Sequence, residues 1–420
     1  MPPNPFLPFT PAFGPDFFNR DAEIKAVFER IAKRRNTAIV GNPHVGKTSL
    51  LHHVATPDVF DNHTLNADQY ALVEIDFQLF GESKTRHDFW RELIVQAIED
   101  NPEVTAPLKP LLKKKEVNEQ ALFRAFQKVG RAEGCVVAFV DEFDYLFNLP
   151  AFHTLDFLGA LRAITMKSKG LCLITASRLS VAQMNTLGEE YKVATRGSDL
   201  FNYLDELTLG CFDEVPVRVW LKNHLPPEAV DEAVLLAGHH PLLLQLAGDA
   251  LFDAVERGVQ SAGYLALRGA FIHRAESQFQ DVWKYLDSKA QIALIIFALR
   301  DLQGQAGRQT FNLEKAEQTL LWYGTEVKEM VRRGTLEADG NGGYRLGSAA
   351  FRAWLVEQKI VGTRGDEPQE AFTQWLHNKQ FKLGGLITNE EIAWLQKVWK
   401  VIPTNIIDLA KKALLPNALQ

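Results

Sequence analysis

The sequence predicts a doubly wound α/β domain with a mainly parallel sheet, followed by a largely helical region. Over residues 36–210, short apolar runs alternate with segments of helical periodicity, which is typical of a parallel sheet covered by helices. One apolar run leads directly into a glycine-rich loop, and another ends in two adjacent acids. From residue 213 onward, helical periodicity dominates and strand patterns become rare.

The composition indicates a globular protein of a reducing compartment. The chain has 420 residues and a formal net charge of −6, which corresponds to about two to four domains. Cys135, Cys172 and Cys211 are the only cysteines, too few for a disulfide framework or a zinc site. The first 16 residues are proline-rich and lack the order of a signal peptide, and no apolar run is long enough to span a bilayer. We therefore expect a cytoplasmic protein without a membrane segment.

The elements of the α/β domain follow an extended lead-in over residues 1–16. Apolar positions at helical spacing predict a first helix over 21–35. A charged turn is expected at 108–117. The predicted strands and the helices between them are, in order, strand 37–41, helix to about 55, strand 70–77, helix 86–100, helix 118–132, and strands 136–140, 171–178 and 204–212.

The rest of the chain is predicted to contain further small domains. A helix pair followed by a hairpin over residues 335–348, turning between Asp339 and Gly343, matches a winged helix. The predicted limits are an α/β domain at 17–212, a helical domain at 213–285, a winged-helix domain at 286–360, a linker at 361–370 and a small helical module at 371–420.

The glycine-rich loop fits the phosphate-binding pattern G-x-x-x-x-G-K-[ST] over residues 41–48. Such a loop points backbone N–H groups at phosphate oxygens, which requires glycine, and the next helix offers its positive end. We expect Lys47 to reach the β- and γ-phosphates and Thr48 to ligate Mg²⁺. The sequence has no N-K-x-D element for guanine, so ATP or ADP is the expected ligand. The predicted nucleotide contacts in the loop are Gly41, Asn42, Pro43, His44, Val45, Gly46, Lys47, Thr48 and Ser49.

Acids and an arginine at the ends of two later strands supply candidate catalytic groups. Asp141 would hold Mg²⁺ through water, and Glu142 would orient or deprotonate the attacking water. The alternative is an acidic turn without a catalytic role. Asp144 could cap the next helix. Arg178 could stabilise charge during phosphoryl transfer or be an ordinary surface arginine, and Arg196 could act on a neighbouring subunit.

Several motifs together resemble the STAND branch of the AAA-type P-loop ATPases, over about residues 13–357. "FFNRDAEI" is similar to the lead-in that flanks adenine in that family, with Asn19 in place of glycine, and points to Phe18 and Arg20. "FVDEFD" resembles the acidic Walker B motif, and "LITASR" resembles the strand whose arginine senses the γ-phosphate. "AGHHPLLLQLAG" resembles the G-x-P motif of the family's helical lid, which points to Gly238 and to Pro241 near adenine.

The resemblance implies a slow ATPase that acts as a signalling switch. ADP would hold the P-loop domain, the lid and the winged helix closed, and ATP would favour an open form that self-associates. Arg178 is the expected contact to the γ-phosphate, since a switch needs contacts that differ between the two nucleotides. Family members work in signalling, often in defence.

The C-terminal module and two other functions remain open alternatives. Residues 371–420 could cap the winged helix or recruit an adaptor or effector protein. A DNA-associated ATPase would use the winged helix on DNA, but residues 287–360 hold ten Lys or Arg against nine Asp or Glu, a poor footprint for nucleic acid. A nucleotide-binding scaffold without useful hydrolysis is the third possibility.

Overall fold

The computed structural model describes residues 3–361 apart from residues 64–65, 82, 115, 192–198, 307–319, 321–322 and 340–342. The chain divides into two compact units. The α/β unit is residues 11–209, and the helical unit combines the first ten residues with the chain from residue 210 onward. The predicted module at 371–420, the linker beyond Val361 and Arg196 lie outside the described residues.

The α/β unit is built on a parallel five-stranded sheet, as the sequence predicts. Its order is β2-β3-β4-β1-β5, so β4 is the central strand and separates β1, the strand before the glycine-rich loop, from β3. In the parallel pairing, Val40 of β1 faces Ser177 of β4, and Asp76 of β2 faces Asp141 of β3. The strands are β1 (Thr37–Val40), β2 (Tyr70–Asp76), β3 (Cys135–Asp141), β4 (Leu171–Ser177) and β5 (Asp205–Thr208).

Helices cover both faces of this sheet. Alternate residues of β3 point to opposite faces, so Ala138 and Val140 belong to one buried apolar cluster, and Val137 and Phe139 belong to the other. This explains the continuous apolar runs in the sequence, because a strand covered on both sides buries every residue. The helices are α1 (Asp21–Ala32), α2 (Lys47–Ala55), α3 (Pro57–Asn62), α4 (Arg86–Asp100), α5 (Glu119–Arg131), α6 (Leu155–Lys167) and α7 (Val181–Glu190).

The segment expected to be a charged turn at 108–117 is mostly a short helix instead. Residues Ala106–Lys113 form a 3₁₀-helix in which Leu108 and Leu111 are buried. In a 3₁₀-helix, side chains three positions apart share one face. The two leucines therefore pack into the core of the α/β unit. The lysines and Pro110, which suggested a turn, lie between and after them in the sequence.

The helical unit contains the predicted helices and the predicted hairpin. Strands β6 (Leu336–Ala338) and β7 (Tyr344–Leu346) pair antiparallel, and the Asp339 N–H donates to the Gly343 carbonyl at 3.0 Å. A π-helix at Val356–Val361 ends the described chain. The helices are α8 (Glu214–Lys222), α9 (Pro227–Ala237), α10 (Pro241–Glu256), α11 (Leu267–Tyr285), α12 (Ser288–Ala306), α13 (Gly324–Arg332) and α14 (Ala349–Leu355). Across the described residues, no helix is both long and apolar enough to cross a membrane.

One apolar cluster runs through the described part of the helical unit, from Phe6 to Val356. It includes residues from both predicted domains of this region, 213–285 and 286–360. Gly238 is part of this packing, since its φ is 59° and an added Cβ would lie 2.6 Å from the Gly347 carbonyl oxygen. The boundary near residue 285 remains a prediction, and so does the winged-helix assignment.

The first residues of the chain are docked on helix α10 of the helical unit. Phe6 is only 3% exposed, and its ring meets that of Trp220 edge-on at 5.2 Å between centroids. Asn4 Nδ2 donates to Asp249 Oδ1 at 2.9 Å, and the Leu7 N–H donates to Gln245 Oε1 at 2.9 Å. We call residues 4–7 the N-terminal strap.

The strap fits because α10 has a glycine beneath the Phe6 ring. A Cβ built on Gly248 would lie 2.2 Å from that ring, closer than any packing allows. The glycine in the middle of a helix is unfavourable by about 1 kcal/mol relative to alanine. Here the missing side chain makes room for a buried phenylalanine, which contributes more than the glycine loses.

We predict that Phe6→Ala and Gly248→Ala both release the strap. The first removes the ring and loses about 3 kcal/mol of buried contact, and the second makes the ring clash with the helix. Limited proteolysis should cleave both variants within the first ten residues faster than the parent protein. Leu7→Ala is the control, since its side chain is 51% exposed and only its backbone is bonded to α10. Parental cleavage of Gly248→Ala would contradict this packing.

Candidate active site

The glycine-rich loop connects β1 to α2 with the backbone shape that the motif requires. Gly46 has a φ of 98°, in the left-handed region that favours glycine, and α2 begins at the next residue, Lys47. Gly41 leaves no room for a side chain, because a Cβ there would lie 2.6 Å from the Leu209 carbonyl oxygen. The strand, loop and helix predicted around the motif are therefore all present.

Lys47 is buried inside the loop. Its Nζ donates to the carbonyl oxygens of Gly41 and Asn42 at 3.1 and 3.0 Å. Burial lowers the pKa of the Lys47 ammonium to about 8, although the carboxylates of Glu142, Asp144 and Asp141 act in the opposite direction. The lysine thus lies within electrostatic reach of all three acids of the "DEFD" segment.

The remaining loop residues divide into buried and accessible ones. Pro43 and Val45 are buried, while His44 is exposed and has a φ of 55°. Thr48 and Ser49 are half-buried in the first turn of α2. Ser49 Oγ accepts a hydrogen bond from the Ala12 N–H at 3.0 Å, which ties the lead-in segment to this helix.

The acids lie at the carboxyl end of β3. Asp141 is the last residue of the strand, and its Oδ1 accepts the Glu142 N–H at 2.8 Å. Glu142 has a φ of 46°, a conformation that is strained for a residue with a side chain. Its carboxyl is largely buried, and this burial raises the pKa of Glu142 despite the opposing charge of Arg178. Strain and a raised pKa in one residue are typical of functional sites.

Arg178 follows β4 and binds two of the acids. Its Nη2 lies 3.2 Å from Glu142 Oε2, and its Nε donates to Asp144 Oδ2 at 3.3 Å. Its backbone N–H donates to Asp144 Oδ1 at 3.2 Å. The structure therefore brings Arg178 and Glu142 together, as their predicted roles require, and adds Asp144 to the group.

The strand order explains why these groups meet. Strand β4 pairs with β1 on one side and β3 on the other, so Arg178 follows the strand between the phosphate loop and the acids. Carboxyl ends of parallel strands form one edge, where ligands of open α/β sheets bind. Asp76 at the end of β2 also lies at this edge, opposite Asp141, and its Oδ1 accepts the Gln78 N–H at 2.7 Å. Sequence reasoning missed Asp76, and the only available signal was an acid ending a strand.

Arg20 of the "FFNRDAEI" motif bonds to the backbone of the glycine-rich loop. Arg20 is buried, and its Nη2 donates to the Val45 carbonyl at 3.0 Å while its Nη1 pairs with Glu23 at 2.9 Å. Asn19 has a φ of 59°, in the left-handed region that asparagine tolerates better than most residues. Phe18 is half-buried beside them.

Two further polar side chains near the end of β4 donate to backbone carbonyls, and Pro241 lies in the helical unit. Thr175 Oγ1 donates to the Thr37 carbonyl at 3.3 Å, and Ser177 Oγ donates to the Leu179 carbonyl at 2.9 Å. Pro241 is the first residue of α10, in the helical unit. Its predicted contact with adenine remains a prediction.

Comparisons with known proteins concern the fold of the α/β unit. The family model described as an AAA domain matches residues 30–183. The α/β unit has the AAA P-loop NTPase fold. The Walker-type ATPase of Pyrococcus abyssi has a similar fold, with 18% identity, coverage of 83% of this chain and 98% of that chain, and a TM-score of 0.51. The ORC2 protein of Aeropyrum pernix is 11% identical, with 89% and 97% coverage and a TM-score of 0.46. The sequence matches no curated protein.

We predict that nucleotide binding to this AAA-type domain takes up protons at about pH 8.5, because the phosphates raise the lowered pKa of Lys47. At a pH above the Lys47 pKa of about 8, a fraction of the lysine side chains is neutral before the nucleotide binds and becomes protonated when it binds. Calorimetry of ADP binding in two buffers of different ionisation enthalpy measures the protons taken up.

The matched control is Lys47→Arg, whose guanidinium stays charged throughout this pH range. This variant should bind ADP with less proton uptake than the parent protein. Equal uptake in both proteins would mean that another group titrates.

Proposed function

We propose that this chain is a slow, regulatory ATPase in which ATP and ADP favour different conformations. The observation that carries the proposal is the pairing of Arg178 with both Glu142 and Asp144 at the edge of the phosphate loop. One cation thus contacts the expected catalytic base and lies on the strand next to the loop that holds phosphates.

In this proposal the loop binds the nucleotide, and the neighbouring acids act in its hydrolysis. Backbone N–H groups of the loop and the Lys47 ammonium would bind the phosphates, and Ser49 would extend this contact along α2. Thr48 and, through water, Asp141 would hold Mg²⁺, which would neutralise charge on the phosphates. Glu142 orients the attacking water and accepts its proton.

Hydrolysis is slow in this proposal because Glu142 and the γ-phosphate compete for Arg178, so the base is available only while the guanidinium contacts the phosphate. A carboxylate paired with Arg178 is less available as a base than a carboxylate facing water. The γ-phosphate of ATP is a stronger partner for the guanidinium than one carboxylate, since it presents several charged oxygens. ATP would therefore draw Arg178 away from Glu142, and ADP would not.

This difference supplies what a nucleotide switch needs. A ligand shifts a conformational equilibrium only through contacts that differ between the two states. Arg178 changes partner with the γ-phosphate, so it can report which nucleotide is bound. By the resemblance to STAND ATPases, we propose that the ADP form is closed, that the ATP form self-associates, and that residues 371–420 recruit a signalling partner, for example in prokaryotic defence.

The charges around the hairpin favour signalling over DNA binding. Arg332 and Arg333 both pair with Glu329, and Arg345 lies 3.8 Å from Glu337. Basic groups already paired with carboxylates release fewer counterions from DNA and add less affinity. A DNA-associated ATPase is therefore our second candidate.

We predict that Glu142→Gln binds ATP but hydrolyses it about 10²–10⁴ times more slowly. The trapped ATP form should then have a larger mass by light scattering than the same protein with ADP. Lys47→Ala should remain small with either nucleotide, because it loses the main phosphate contact. Glu103→Gln, at an exposed position outside the site, is the control and should behave as the parent protein.

An unchanged mass for every variant with both nucleotides would contradict the self-associating switch. Binding to duplex DNA that weakens steeply with salt would then favour the second candidate. If Glu142→Gln hydrolyses ATP at the parental rate, the proposed base is wrong.

A further inference from the structure

Both carboxylate oxygens of Asp144 accept hydrogen bonds from the same residue, Arg178. Its Oδ1 accepts the backbone N–H of Arg178 at 3.2 Å, and its Oδ2 accepts the Nε–H of the same arginine at 3.3 Å. The two residues are 34 positions apart, on different strand ends. This arrangement fixes the arginine at its backbone and at the start of its guanidinium.

The Asp144 carboxylate is buried, with a side-chain exposure of 5%, whereas that of Arg178 is 23% exposed. A buried carboxylate is unfavourable unless it is paired and hydrogen-bonded, and Arg178 supplies both conditions. Helix capping does not account for the burial, because Asp144 lies within the 3₁₀-helix Phe143–Asn148 and the hydrogen bonds of its carboxylate go to Arg178. Asp144 is therefore built into the sheet edge as a partner of the arginine.

The guanidinium of Arg178 contacts both acids at once. Its Nε donates to Asp144 Oδ2, and its Nη2 lies 3.2 Å from Glu142 Oε2. An arginine held at one edge can exchange partners at its other edge without searching through its rotamers. That is the motion which a change from Glu142 to the γ-phosphate would need.

We propose that Asp144 is the positioning residue that aims Arg178 at the reacting phosphate. This inference rests on the proposed role of Arg178. Asp144 would raise the rate of hydrolysis only through the arginine, and it would make no contact with nucleotide or Mg²⁺.

The test is a double-mutant cycle in single-turnover ATP hydrolysis with the full chain. Asp144→Asn keeps the size of the side chain but removes the charge that holds Nε–H. We expect Arg178→Ala to slow hydrolysis about 100-fold and Asp144→Asn to slow it about 10-fold. The double variant should hydrolyse ATP at the rate of Arg178→Ala alone, since a positioning residue has no effect once its target is gone.

The outcomes separate this inference from the proposed function. If Arg178→Ala retains the parental rate, the role of Arg178 fails and Asp144 has nothing to position. If Arg178→Ala is slow and the double variant is about 10-fold slower still, Asp144 acts independently and only this inference fails. A parental rate for Asp144→Asn would also overturn it.

A second variant keeps the test decisive if Asp144→Asn does not fold. Asp144→Glu retains the charge but moves the carboxylate by one methylene, so it should also slow hydrolysis in the parent background. It should again have no effect in the Arg178→Ala background. The affinity for ADP should match that of the parent protein in both Asp144 variants, because ADP lacks the phosphate that Arg178 would contact. Loss of ADP binding would indicate a structural role for Asp144 and contradict the proposal.

Discussion

The pairing of β4 between β1 and β3 is the constraint on which the rest of the site depends. Every residue of β4 is buried, so the strand cannot shift its register without exposing apolar side chains. This fixed position places Arg178 beside the acids that follow β3 and next to the loop that follows β1. Groups from three distant parts of the sequence therefore meet at one edge of the sheet. The pairing of the strands brings them together, and contacts between their side chains are not needed for this.

The charges at this edge are balanced against one another. Lys47 and Arg178 are the cations, and Asp141, Glu142 and Asp144 are the carboxylates that influence them. Burying any of these alone would be costly, and their mutual attraction offsets much of that cost. The same attraction means that an incoming phosphate must compete for each cation. In the proposed switch, this competition would lower the affinity for nucleotide and make the site sensitive to the number of phosphates.

Local patterns predicted the fold of the α/β unit and the backbone of the glycine-rich loop, because each depends on a short stretch of chain. The apolar runs defined the strands, and the spacing of Gly41, Gly46 and Lys47 defined the loop. The interaction between Arg178 and Asp144 was not predictable, since it depends on which strands are neighbours. The bond from Arg20 to the Val45 carbonyl was not predictable either, because the motif indicated only a nucleotide contact for this residue. Leu108 and Leu111 are three residues apart and share one face of a 3₁₀-helix, but the lysines and Pro110 around them suggested a turn.

The N-terminal strap has a consequence for how the protein is synthesised. Asn4 and its partner Asp249 are 245 positions apart in sequence, and the whole α/β unit lies between them. Since domains generally fold as units while the chain emerges from the ribosome, the α/β unit can form before α10 has been translated. Until then the strap has no binding site, and Phe6 remains exposed to solvent or to other proteins. The strap is thus translated well before its partners and is among the last segments to reach its native contacts.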